Sequence, residues 1–130
     1  MKPEDALNLS DFEAEAQRVL PKLAYDYYAS GAHDEVTLRE NHRAYERIAL
    51  RYRVLVDVSK RDASTTVLGQ KVAMPILVAP TAFHKLAAVQ GELATARAAA
   101  AADSIMILST LSNTAVEEVV EASSGPVWFQ

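Results

Sequence analysis

The sequence predicts an α/β chain, with helices and a β-hairpin leading into strand–helix–strand–helix–strand. Three observations predict it. The runs Ile76–Ala79, Ile105–Leu108 and Val127–Gln130 are apolar without alternation, the pattern of strands covered on both faces. An alanine-rich helical stretch, about Gly91 to Ala102, and a shorter one from Thr114 to about Ala122 separate those runs, which is the order of parallel βαβ units. Before Pro75 the apolar residues instead fall at helical spacing and then flank a glycine-containing turn.

The elements follow in order. Ser10-Asp11-Phe12-Glu13 fits a capping box, and Phe12, Ala16, Val19, Leu20 and Leu23 continue at helical spacing. Pro21 lacks an N–H and ends this helix or opens the next. Lys22 to Ser30 is then a short helix stopped by Gly31. Asp34 is a cap for a third helix, Glu35 to Arg47, with Leu38 and Tyr45 on one face. Ser64 to Leu68 and Lys71 to Ala73 form a hairpin about Gly69-Gln70. In the second half, Thr114 with Glu117 caps the helix before the last strand. The chain thus divides into residues 1–74, a helical segment and hairpin, and residues 75–130, the first βαβαβ units of a larger sheet. Periodicity leaves a barrel and a doubly wound sheet equally open.

Composition narrows the function classes. Half of the 130 residues are hydrophobic, enough for a real core. No cysteine is present, which removes disulfides and cysteine-based metal sites or nucleophiles. A net charge of −4 with interspersed signs argues against nucleic acid. The polar, acidic start is unlike a signal peptide, and no uncharged apolar run approaches a membrane span. A cytoplasmic protein is the expectation; a peroxisomal one is the alternative, since a C-terminal signal would be missing. Val127-Trp128-Phe129-Gln130 is β-prone and follows a turn at Ser124-Gly125-Pro126, so the C-terminus is read as a cut through a buried strand. The alternative is a short edge strand at a true terminus.

In parallel α/β proteins functional groups sit at the C-terminal ends of strands. Three such ends are Ala79-Pro80-Thr81-Ala82, Leu108-Ser109-Thr110-Leu111 and Gln130. They offer backbone amides and carbonyls, hydroxyls and one carboxamide, but no strong acid, base or nucleophile. A carboxamide donates and accepts together, which suits the mixed edge of a flavin ring. Each signal has a structural alternative. Strand-end Ser and Thr are more often caps or turn formers, and Tyr25-Asp26-Tyr27-Tyr28 would ordinarily be packing.

Together these residues carry a resemblance. Pro21-Lys22-Leu23-Ala24-Tyr25-Asp26-Tyr27-Tyr28-Ala29-Ser30-Gly31-Ala32 resembles the N-terminal segment of the FMN-dependent α-hydroxy-acid oxidases and dehydrogenases, the glycolate oxidase and lactate oxidase group. Thr37-Leu38-Arg39-Glu40-Asn41, Leu55-Val56-Asp57-Val58, Leu68-Gly69 and Met74 through Ala82 continue it. Gly91 through Ala99, Leu108-Ser109-Thr110 and Trp128-Phe129-Gln130 complete it, in order and without a large gap. The match covers the N-terminal portion of a family chain only.

The resemblance implies the beginning of a (β/α)8 TIM barrel with FMN at its C-terminal mouth. It implies oxidation of a small 2-hydroxy acid, of lactate or glycolate type, to the 2-keto acid. By position Tyr27 matches a substrate-carboxylate contact, and Leu111 the side chain that limits substrate size. Ala79, Pro80, Thr81 and Ala82 match the loop against the flavin, while Ser109 and Gln130 match groups that hydrogen-bond it. No catalytic residue falls within this chain: the family's base histidine, substrate arginines and flavin-facing lysine correspond to positions past Gln130. His33, His42 and His84 are read as surface or satisfied loop histidines. The resemblance also implies a homo-oligomer, a tetramer in this family, and allows a second chain that carries the rest of the barrel. The competing reading is a truncated, non-catalytic fragment that acts only in assembly or interaction.

Three positions depart from the family pattern. Ala88-Val89-Gln90-Gly91-Glu92 lacks a usual proline, Tyr52 replaces a proline, and Asp103 stands for a glycine after the alanine-rich helix, where a positive φ is expected.

Overall fold

The computed structural model describes residues 2–130 and divides into two compact units, Met1–Val56 and Asp57–Gln130. The first unit holds a 3-10 turn at Pro3–Asp5 and helices α1 (Leu9–Val19), α2 (Lys22–Ala29) and α3 (Val36–Glu46).

In this unit two caps differ from expectation. Helix α1 is capped by Asn8, not Ser10. Asn8 Oδ1 accepts the Asp11 N–H at 3.2 Å, and Asp11 Oδ2 accepts the N–H groups of Asn8 and Leu7 at 3.2 and 2.7 Å. Starting at Asn8 satisfies one more orphan amide than a Ser10–Glu13 box, which explains the choice. Asp34 does not cap α3; Glu35 occupies that place in the left-handed region, φ 55°, and its carboxylate accepts the Gly31 N–H. Tyr45 is exposed, so the apolar face of α3 is narrower than its spacing suggests.

The second unit begins with the hairpin, β1 (Thr65–Val67) antiparallel to β2 (Gln70–Val72), with Val67 opposite Gln70. The turn is Leu68-Gly69, one residue earlier than expected. Both residues have positive φ, 48° and 80°, the type I′ geometry whose twist matches the flanking strands. Val72 is fully buried, and the next residue, Ala73, donates its N–H to the Asp103 carbonyl.

The parallel sheet is present in order. Strand β3 (Met106–Leu108) pairs in parallel with β4 (Val127–Phe129), Ile107 opposite Trp128. The predicted strand over residues 76–79 is reduced to a single parallel bridge between Val78 and Met106. Val78 donates to Ile105 and accepts from Ile107, both at 3.0 Å. The ladder goes no further for a simple reason. Two residues earlier, the Ile76 N–H is taken by the Met74 carbonyl in a tight turn. Two residues later stands Pro80, which has no N–H.

Helices α4 (Gly91–Ala101) and α5 (Val116–Ala122) connect these segments. Ala96, Ala99, Met106, Leu108 and Val119 form the buried core, with Val78, Leu93, Val116 and Val127 packed against it. Met106 and Leu108 sit two apart on one face of β3, while the small side chains of α4 bring that helix close. Helix α5 begins at Val116 with Ala115 as cap, and Thr114 makes no cap bond because its hydroxyl is used elsewhere, as described below.

Asp103 has φ 48°, the left-handed geometry expected where the family carries glycine. Asp103→Gly removes that strain and leaves the backbone bond to Ala73 intact. Urea unfolding should show a gain of about 0.5–1 kcal/mol.

Candidate functional site

Because Val78, β3 and β4 run side by side and parallel, residues 79–82, 109–111 and Gln130 leave the sheet at the same edge. Bonds across the loops hold that edge together. The Phe83 N–H donates to the Leu111 carbonyl at 3.0 Å, tying the loop after Val78 to the loop after β3. Gln130 donates its N–H to the Leu108 carbonyl at 2.9 Å, and its Oε1 lies 3.4 Å from the Thr110 nitrogen. The structure thus brings together six residues marked in the sequence: Ala79, Pro80, Thr81, Ala82, Ser109 and Gln130.

Their surroundings differ. Ala79, Pro80 and Thr81 are exposed, and the Thr81 hydroxyl donates to the Ala79 carbonyl at 3.4 Å. Ser109 is buried, and its Oγ accepts the Leu111 N–H at 3.1 Å, so it shapes its own loop while keeping an O–H to donate. Leu111 is about half exposed. Gln130 is exposed, and its side-chain Nε2 has no partner among the described residues. The edge therefore offers small, uncovered backbone on one side and hydrogen-bond donors on the other.

Tyr27 lies on α2 in the first unit and is half exposed, with its ring edge-on to Tyr28 at 5.3 Å. One open depression of the second unit lies away from the strand ends. It is lined by Asp62, Ser64, Lys71, Val72, Ala73 and Asp103, beside residues that precede β3.

The principal group that sequence reasoning missed is Glu92. In the first turn of α4, its carboxylate is completely buried. Oε1 accepts the Asn113 N–H at 2.9 Å and the His84 N–H at 3.2 Å, and Oε2 accepts the Thr114 hydroxyl at 2.8 Å. Its position at a helix N-terminus was a readable signal for a stabilised anion; its burial was not. His84 needs correction too. It is half-buried, its Nδ1 sits 3.1 Å from the Thr95 hydroxyl, and its buried Nε2 has no partner among the described residues. His33 and His42 are exposed, as expected of surface histidines.

Burial pushes the Glu92 carboxyl up, but the amides of Asn113 and of Glu92 itself, the Thr114 hydroxyl and the His84 amide hold it below the ordinary value of 4.5. A depressed folded-state pKa adds stability that is complete above 4.5 and is lost as pH falls through the folded value. Asp57 and Asp62 are also lowered, each by the backbone amide and hydroxyl of a serine two residues on, and contribute with the same sign. Urea unfolding between pH 7 and pH 3 should therefore show a shallower acid loss for Glu92→Gln than for the unaltered chain. Equal slopes would remove Glu92 from the account.

Comparison with known proteins agrees with this architecture. The FMN-dependent dehydrogenase family matches residues 16–130. Glycolate oxidase 1 of Zea mays is 57% identical over 123 residues, which is 95% of this chain and 33% of that protein. Glycolate oxidase of Spinacia oleracea is 52% identical over the same length. Among solved structures, a soluble mutant of the membrane-associated (S)-mandelate dehydrogenase from Pseudomonas putida superposes with a TM-score of 0.89 at 38% identity, covering 95% of this chain and 35% of that one. A mandelate oxidase in complex with a difluoro-hydroxy-phenylpropionic acid gives 0.90 at 36% identity, covering 96% and 38%. The chain spans about a third of the length of these relatives. With the family matched along most of its length, this chain belongs to the FMN-dependent dehydrogenases.

Proposed function

We propose that this chain builds the first part of an FMN-binding (β/α)8 barrel, residues 1–74 leading into the βαβαβ units of residues 75–130. In the whole protein it would serve the oxidation of a small 2-hydroxy acid, of glycolate or lactate type, to the 2-keto acid. The observation that carries this reading is the shared edge at which residues 79–82, 109–111 and Gln130 leave three adjacent parallel segments.

The residues present fit a flavin in part. Small, exposed Ala79, Pro80 and Thr81 leave room for a flat ring against the backbone, which a larger side chain would obstruct. Gln130 keeps amide donors for a ring carbonyl or nitrogen, and Ser109 keeps its O–H. Bound FMN supplies the two-electron acceptor. The chain's own residues bind and orient: Ala79–Ala82 support the ring, Ser109 and Gln130 fix its polar edge, and Leu111 limits the size of the substrate; by the family resemblance Tyr27 engages the substrate carboxylate. A leucine at position 111 favours a small aliphatic acid over an aryl one. The proton-abstracting base and the carboxylate-binding arginines belong to barrel segments outside these residues, supplied by a longer chain or by a second one. A homotetramer is part of the same reading.

Two measurements test it. The 130-residue chain alone should bind FMN more weakly than micromolar, because it supplies only part of the ring contacts; fluorescence titration reads this directly. A chimera in which this chain replaces the matching third of Zea mays glycolate oxidase should purify yellow and oxidise glycolate or lactate. A folded but colourless and inactive chimera would sink the proposal and favour an assembly role.

A further inference from the structure

We infer that Glu92 is the positioning residue of this edge, its carboxylate setting the spacing between the loop that follows Val78 and the loop that follows β3. Both loops send donors to the same group. His84 belongs to the first loop, Asn113 and Thr114 to the second, and all three hydrogen bonds end on one fully buried carboxylate. No ion pair to Glu92 is found among the described residues. A buried charge without a counter-ion is costly, and it persists only where oriented dipoles replace water. Here the dipoles are two loop amides, one loop hydroxyl and the start of α4.

The geometry is reinforced around it. The Lys85 N–H donates to Asn113 Oδ1 at 3.1 Å, Lys85 Nζ to the Asn113 carbonyl at 3.4 Å, and the Phe83 N–H to the Leu111 carbonyl at 3.0 Å. Gly91 lets α4 begin directly beneath the first loop, since a Cβ there would lie 2.8 Å from Lys85 Cγ. Glu92, the next residue, is thereby delivered between the loops. An apolar side chain of equal size would fill the space but leave three donors unsatisfied. The carboxylate acts as a clamp on the backbone that presents Ala79–Ala82 on one side and Ser109 and Leu111 on the other.

That these loops face a flavin rests on the function proposed above; the clamp itself does not, and the experiment separates the two. Amide hydrogen exchange of the full 130-residue chain, without flavin, reads the loops one residue at a time. With Glu92→Ala, amides over residues 83–86 and 110–114 should exchange roughly tenfold or more faster, while those inside β3, β4 and the second half of α4 keep their rates. Glu92→Gln retains one acceptor oxygen for the two amides and should fall between. Unchanged loop rates in Glu92→Ala overturn the inference, as does a uniform acceleration through the whole unit in both variants. Free-peptide exchange of His84 and Asn113 in the unaltered chain overturns it as well. If Glu92→Ala unfolds, Glu92→Gln decides: selective acceleration of the two loops supports the clamp, and any other pattern removes it. In the glycolate oxidase chimera, Glu92→Ala should also weaken FMN binding by at least about tenfold, one hydrogen bond's worth. A chimera without flavin would refute the functional reading, with the exchange result still deciding the role of Glu92.

Discussion

Leu108→Ala should lower the unfolding free energy of the Asp57–Gln130 unit by about 2–5 kcal/mol, the range for emptying a well-packed leucine site. Leu108 is 1% exposed and packs with Ala96, Ala99, Met106 and Val119, so the cavity would open between β3 and the two helices. The neighbouring alanines have no longer rotamer with which to fill it, which places the cost toward the upper part of that range. A small unit of marginal stability has little to spare, and the loss would consume much of it. The chain's single tryptophan makes the measurement direct: Trp128 lies in β4 opposite Ile107, so its fluorescence follows this unit during urea unfolding. Val89→Ala is the control. Val89 is 95% exposed, and its truncation should stay within about 0.5 kcal/mol. If the two variants unfold at the same urea concentration, the core has been misplaced.

Gly91→Ala should cost about 1–3 kcal/mol, from left-handed strain plus a steric clash. Gly91 has φ +48°, and an added Cβ would stand 2.8 Å from Lys85 Cγ and 3.4 Å from the Lys85 backbone nitrogen. Gly69 separates the two contributions. Its φ is +80°, but nothing lies within 4 Å of its missing Cβ, so Gly69→Ala reports conformational strain alone, about 1–2 kcal/mol. The excess cost at Gly91 is then the clash that moves the 84–86 turn away from α4. Paired urea titrations check this. A Gly91→Ala loss no greater than that of Gly69→Ala would show that the turn yields freely, and it would also weaken the case that Gly91 delivers Glu92 between the loops.

The neighbours of Glu92 show why part of the edge was legible in the sequence and part was not. The strand ends were legible because an apolar run followed by small and hydroxyl residues is a local pattern, visible within a few positions at residues 76–82 and 105–111. Thr114 was misread for the same reason. Its spacing to Glu117 fits a capping box, but its hydroxyl goes to a carboxylate 22 positions away. The cap of α1 was missed more narrowly: Asn8 and Asp11 carry the same chemistry as Ser10 and Glu13, two residues earlier, and win by satisfying the additional Leu7 amide.

By itself the sequence determined the order of the elements, the hairpin, the left-handed residue at Asp103 and the three segments whose ends form one edge. These follow from side-chain periodicity, proline and glycine, which act on the backbone within a turn or two. Tertiary structure decided that His84 is drawn inward and that Glu92 is buried with no ion-pair partner among the described residues. Each outcome depends on which donors and acceptors arrive from elsewhere in the chain. The Asn113 amide reaches Glu92 across 21 positions, and its hydrogen bond acquires meaning only when both loops are folded around the same helix end.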